Sequence, residues 1–80
     1  MASEPPAGHP ITGTVRWWKS DKGYGRITGD DGYVYFASFA HIAGMTGFRE
    51  LEQGQRVEFE WLGREADHGR RSAENIRLLT

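Results

Sequence analysis

The 80-residue chain has no cysteine, and its three prolines all lie within the first ten residues. Without cysteine there is no disulfide staple, no thiolate metal site and no thiol nucleophile, so packing alone must hold the fold. Long apolar runs are missing too. The densest hydrophobic stretch, Tyr33 to Ile42, is broken by Ser38 and His41 and falls far short of the roughly 20 residues a membrane helix needs. Neither sign of charge is in surplus: ten Lys and Arg face eleven Asp and Glu, a formal net charge of −1. No overall basicity advertises a polyanion as partner. The length leaves room for one small domain and excludes a two-domain enzyme. Residues 1–11, which carry all the prolines and no apolar signal-peptide core, are expected to form a disordered tail ahead of a domain at 12–80. A soluble, cytoplasmic protein is expected.

What is abundant is glycine, eleven residues, and aromatic side chains, 12% of the chain. That mixture suits short strands joined by tight turns. Five strands are expected, at Thr14 to Lys19, Tyr24 to Thr28, Tyr33 to Ala37, Gln55 to Trp61 and Ser72 to Leu79. Ser20-Asp21-Lys22-Gly23 and Gly29-Asp30-Asp31-Gly32 supply turn residues between the first three. The fourth alternates Val57, Phe59 and Trp61 with Arg56, Glu58 and Glu60, the pattern of a half-buried antiparallel strand. The expected fold is therefore all-β: a five-stranded antiparallel Greek-key barrel of the oligonucleotide-binding type, with an SH3-like barrel as its structural rival.

Side chains alternate along a strand, so Tyr24 and Arg26 share one face and Ile27 takes the other. In the next strand Tyr33, Tyr35 and Ala37 have one parity and Val34, Phe36 and Ser38 the other. Parity leaves open which set faces outward. Charge is unevenly spread despite the balance. Residues 14–27 hold Arg16, Lys19, Lys22 and Arg26 against Asp21 alone, whereas residues 28–67 hold three arginines against eight carboxylates. Positive potential should gather beside the aromatic residues of the first two strands.

The run Thr14-Val15-Arg16-Trp17-Trp18-Lys19-Ser20-Asp21-Lys22-Gly23-Tyr24-Gly25-Arg26-Ile27 resembles the opening motif of the cold-shock domain family. Val34 to Ile42, Leu51 to Phe59 and Ala73 to Ile76 are similar to the family's later motifs, in the same order, and together the likeness runs from Thr12 to Leu79. The resemblance implies a platform of Trp17, Tyr24, Phe36, Phe39 and Phe48 on which bases of single-stranded RNA or DNA stack, with Trp18 packing first and touching ligand second. Flanking basic and polar contacts are implied for Arg16, Lys19, Lys22, Arg26 and Ser38. A monomer is expected, acting as an RNA chaperone or a regulator of transcription or translation, with low sequence preference.

Two departures stand out. Arg26 occupies a family phenylalanine position and Ser38 a family histidine position, so stacking should weaken while a guanidinium plane adds charge. Arg70 and Arg71 replace the family's Gly-Pro and read either as a solvated loop pair or as a phosphate contact. The first motif also overlaps the RNA-recognition-motif signature, but that fold needs two helices for which no helical period exists here. Catalysis is not expected: the three histidines are scattered, and Glu58 and Glu60 read as solvated charges on one strand face. Glu65, Asp67 and His68 imitate a metal cluster without ligand spacing, so neither metal nor cofactor is expected. The alternative function is a small β-barrel module that docks a partner protein on the exposed aromatic patch.

Overall fold

The computed structural model describes residues 9–43, 50–65 and 70–79. Its strands are β1 (Pro10–Lys19), β2 (Tyr24–Gly29), β3 (Val34–Ser38), β4 (Arg56–Glu60), β5 (Arg71–Ser72) and β6 (Glu74–Leu78), with one 3-10 turn at Phe39–His41. β1 is the central strand. It pairs antiparallel with β2 along one edge, from Gly13 opposite Gly29 to Lys19 opposite Tyr24, and with β4 along the other, from Pro10 opposite Glu60 to Thr14 opposite Arg56. β2 and β3 form the expected hairpin, whose turn is closed by the Gly32 N–H donating to the Gly29 carbonyl at 3.0 Å.

The sheet order is β5-β3-β2-β1-β4-β6. Because β5 and β6 are joined through the single residue Ala73, the two edges of this sheet are one continuous chain, and the sheet curls back on itself. Closure leaves few strand edges unpaired. The all-β, oligonucleotide-binding type of fold holds, with two corrections to its details. The last strand is two short strands, and β5 runs parallel to β3, pairing Tyr35 with Arg71 and Phe36 with Ser72. To cross from β3 to β4 the chain breaks at buried Ala73, whose N–H donates to the Phe36 carbonyl at 2.9 Å, and it turns through Asn75 at φ +51°. Asparagine tolerates that left-handed geometry better than most side chains.

The first strand also begins earlier than the expected Thr14. Pro10 and Ile11, expected in the tail, belong to β1, because Ile11 continues the inward series Ile11, Gly13, Val15 and packs opposite Phe59. Residues 1–8 lie outside the described residues. The carboxylates of β4 are not simply solvated: Glu58 accepts from Arg77 Nη2 at 2.8 Å and Glu60 from Asn75 Nδ2 at 3.1 Å. On the opposite edge, Arg56 makes a two-pronged contact with Asp30, at 3.0 and 2.7 Å, and donates to Thr14 Oγ1 at 2.9 Å. The Thr12 hydroxyl also donates to Asp30, and the hydrogen bonds from Arg56 and then Thr12 hold its carboxyl down at about 2.

β1, β2, β3, β4 and β6 all send residues to the core. Val15, Ile27, Tyr35, Val57, Phe59 and Ile76 are essentially inaccessible to solvent, and Leu51 from the connection before β4 joins them. The parity of β3 is thereby decided: Tyr35 and Ala37 face inward, and Phe36 faces out. Tyr35 lies edge-on to Phe59 with ring centroids 4.7 Å apart. Its hydroxyl donates to the Asp31 carboxylate and accepts from Arg71 Nη1 at 3.3 Å. Burial first, then the bond to Asp31, pushes the Tyr35 phenol up to about 12. Arg71 is itself enclosed, its guanidinium carbon 3.6 Å from the Tyr33 ring centroid and 3.9 Å from that of Trp61. It is thus packed between rings rather than standing free in a solvated loop.

Two outcomes are expected. Truncating Ile76 to alanine removes a fully buried side chain and should cost about 2–5 kcal/mol in urea unfolding. The raised phenol of Tyr35 favours the neutral form, so its contribution is whole below pH 10 and disappears as pH rises from 10 through about 12. Over that window parent stability should fall more steeply than that of Tyr35→Phe, measured by urea unfolding at successive pH values; parallel curves would assign the alkaline loss to other groups.

Candidate nucleic-acid interface

The outward face of β1, β2 and β3 is built by one irregularity. Alternation along β1 places Ile11, Gly13 and Val15 inside, and unbroken alternation would turn Trp17 inward as well. Instead the register slips between Val15 and Trp17: Val15 opposes Ile27 and Trp17 opposes Arg26, leaving Arg16 as the extra residue of a β-bulge. The bulge swaps parity, so Trp17 joins the outer face while Trp18 packs against the core. Trp18 opposes Gly25, where a Cβ would run into the Trp17 carbonyl oxygen and lie 2.9 Å from the Trp18 ring. Only glycine lets β2 come this close to the bulge.

On that face three rings meet. Tyr24 and Phe36, diagonal neighbours across β2 and β3, are stacked with centroids 5.8 Å apart and planes at 29°. Trp17 meets Tyr24 edge-on at 6.2 Å. Arg26 lies directly opposite Trp17 on one side and Phe36 on the other, its guanidinium carbon 5.1 and 5.7 Å from their centroids. Lys19 Nζ reaches to 5.8 Å from the Trp17 ring. Burial, then the nearby positive charges of Arg70 and Arg16, draw the Arg26 guanidinium below its ordinary value. A cation kept here against like charges is a local positive centre surrounded by π-faces.

The remaining expected residues divide. Phe39, 53% exposed, sits beyond Gly23, whose carbonyl accepts the Phe39 N–H at 2.9 Å. Gly23 adopts φ +77°, and a Cβ there would lie 2.8 Å from Phe39 Cδ1. Arg16 is exposed at the bulge, and Lys19 and Lys22 are exposed at and just beyond the end of β1. Ser38 pairs with Tyr24 across the hairpin, but its hydroxyl accepts the Ala40 N–H at 3.3 Å and caps the 3-10 turn. Phe48 lies outside the described residues. Arg70 was singled out only as part of a loop pair, and the structure brings it into electrostatic reach of Arg26. Sequence separation hid that proximity, because β5 joins β3 only when the barrel closes.

A family model described as 'Cold-shock' DNA-binding domain matches residues 11–79. The chain belongs to the cold-shock domain family. Similar relatives include the cold shock-like protein of Aquifex aeolicus, 46% identical over 68 residues covering 84% of this chain and 91% of the relative. Cold shock protein 1 of Lactiplantibacillus plantarum is 52% identical over 48 residues, 60% of this chain and 71% of the relative. Probable cold shock protein A of Mycobacterium tuberculosis is 49% identical over 49 residues, 60% and 72% of the two chains. The family is a nucleic-acid-binding, non-enzymatic one, and nucleic-acid binding is the general function that membership carries. Among the described residues no helix is long and apolar enough to cross a membrane.

Gly23→Ala should force a β-carbon into left-handed backbone at a cost of about 1–2 kcal/mol and push the Phe39 ring aside. Urea unfolding reads the first effect and the Phe39 ring proton shifts read the second. Unchanged ring shifts would separate Phe39 from Gly23.

Proposed function

We propose that this cold-shock domain binds single-stranded RNA or DNA by stacking bases on Trp17, Tyr24, Phe36 and Phe39, with Phe48 adding a further ring. Arg16, Lys19, Lys22 and Arg26 neutralise the backbone. The observation that carries this reading is the outward meeting of Trp17, Tyr24 and Phe36 around a cationic centre. A flat π-face accepts every base, so overall sequence preference is low, and each stacked base contributes roughly 1–3 kcal/mol. Bases held on the platform are withdrawn from pairing, so weak hairpins open by mass action and the strand is released again without any covalent step. The role is that of a monomeric cytoplasmic chaperone of RNA or a regulator of transcription or translation.

Strandedness tests the reading, because a duplex hides its base faces. Titration followed by tryptophan fluorescence should show a single strand binding far more tightly than duplex of equal length. Phe36→Ala should weaken single-strand binding by roughly 1–3 kcal/mol with a smaller loss of stability, since Phe36 is only half-buried. Equal affinity for both forms with a steep salt dependence would leave only the basic groups as the binding surface. Binding to a partner protein and to neither nucleic acid would move the aromatic patch to protein docking.

A further inference from the structure

Stacking accounts for the rings of the platform but leaves Arg26 without a polar partner. Its Nη1 is shielded from solvent and has no hydrogen-bond partner. No carboxylate among the described residues forms an ion pair with it, and the cations Arg70 and Arg16 act against its charge, opposed only by the Tyr24 phenol. A shielded charged donor left unpaired is more costly than a neutral one, so an acceptor brought by a ligand is favoured there. Two kinds of acceptor exist on a nucleic acid strand, phosphate oxygens and base edges. Arg16, Lys19 and Lys22 are exposed around the platform and serve the phosphates. Arg26 lies instead between the Trp17 and Phe36 rings, where stacked bases would lie.

The base edges differ in what they offer a two-pronged donor. Guanine presents O6 and N7 side by side as acceptors, whereas adenine sets N7 beside an amino donor, and uracil and thymine separate their carbonyl oxygens by an N–H. Cytosine has adjacent acceptors too, on a single-ring face that covers less of the stacked Tyr24 and Phe36 rings. In an unpaired strand all these edges are free.

We propose that Arg26 reads a guanine stacked over Tyr24 and Phe36, its guanidinium donating to O6 and N7, so that one position of the bound strand is selective for guanine. This rests on the single-strand reading. A guanine edge entering beside the Trp17 and Phe36 rings exchanges the guanidinium's ring contacts for two charge-assisted hydrogen bonds. The rest of the strand is held without regard to sequence, and the selective position sets the register in which it lies.

The test compares a thymidine heptamer with three heptamers carrying one central guanine, adenine or cytosine, titrated against the parent, Arg26→Lys and Arg26→Phe at fixed salt. The readout is the affinity ratio within each protein, so a change in overall affinity or stability cancels. The parent should prefer the guanine heptamer over the thymidine heptamer by about tenfold, with the adenine and cytosine heptamers within about threefold of thymidine. Lysine keeps the charge but not the fork, so its ratio should fall to about twofold or less, and phenylalanine should abolish the preference. A guanine preference that survives in either variant, or a parent that binds all four alike, overturns the assignment to Arg26. A cytosine preference overturns the choice of guanine. If no heptamer binds the parent, the single-strand reading itself has failed and this proposal with it.

Discussion

The close approach of β2 to the bulge in β1 is the contact on which the outer surface depends. Strand pairing demands strict alternation, and β1 needs Ile11 and Val15 inside while presenting Trp17 outside, which alternation forbids. One extra residue, Arg16, resolves the conflict, and Gly25 makes room for it by having no side chain. The same slip drives Trp18 onto the core, so two adjacent tryptophans serve opposite faces of one sheet. A bulky residue at position 25 would separate the strands at the point where Trp17, Arg26 and Phe36 come level.

Barrel closure is the second constraint, and it brings distant charges together. Arg71 is drawn against β3, where its guanidinium lies between Tyr33 and Trp61 and donates to the buried hydroxyl of Tyr35. That arrangement ties β5, β3 and the end of β4 at one end of the barrel. The preceding residue, Arg70, comes into electrostatic reach of Arg26 instead. Two neighbouring arginines thus have different tasks, one stitching the fold and one adding charge beside the platform. The family's Gly-Pro would supply neither.

Opposite charges are segregated by strand. Glu58 is paired with Arg77 on the β4 and β6 side, where Glu60 accepts a hydrogen bond from neutral Asn75, and Asp30 is paired with Arg56 at the turn. Exposed ion pairs such as the last add little on their own, yet they consume carboxylates that would otherwise neutralise the basic side. Arg16, Lys19, Lys22 and Arg26 form none of these pairs. A surface with unpaired cations set among rings suits a ligand that brings both π-faces and negative charge.

Much of this was legible in the residues themselves. The period-two alternation of Val57, Phe59 and Trp61 and the glycine-bounded hairpin turn pointed to an all-β barrel, because alternation and turn chemistry are local properties, and the resemblance of the ordered motifs to the cold-shock domain nominated Trp17, Tyr24 and Phe36. The start of β1 at Pro10 was not legible, since Ile11 becomes a core residue only through its contact with Phe59 across the sheet. Parity by itself left the outward face of β3 open, and only the resemblance put Phe36 there, because burial is decided by which set meets the barrel interior. The break at Ala73, the parallel pairing of β5 with β3 and the enclosure of Arg71 likewise arise from closure, a contact between the two ends of the sheet. The sequence therefore determined, by alternation and by family resemblance, which side chains are candidates for one outer face, while the tertiary structure alone decided how Trp17, Tyr24, Arg26 and Phe36 meet there and that Arg70 comes near them, because that depends on register and closure between segments far apart in the chain.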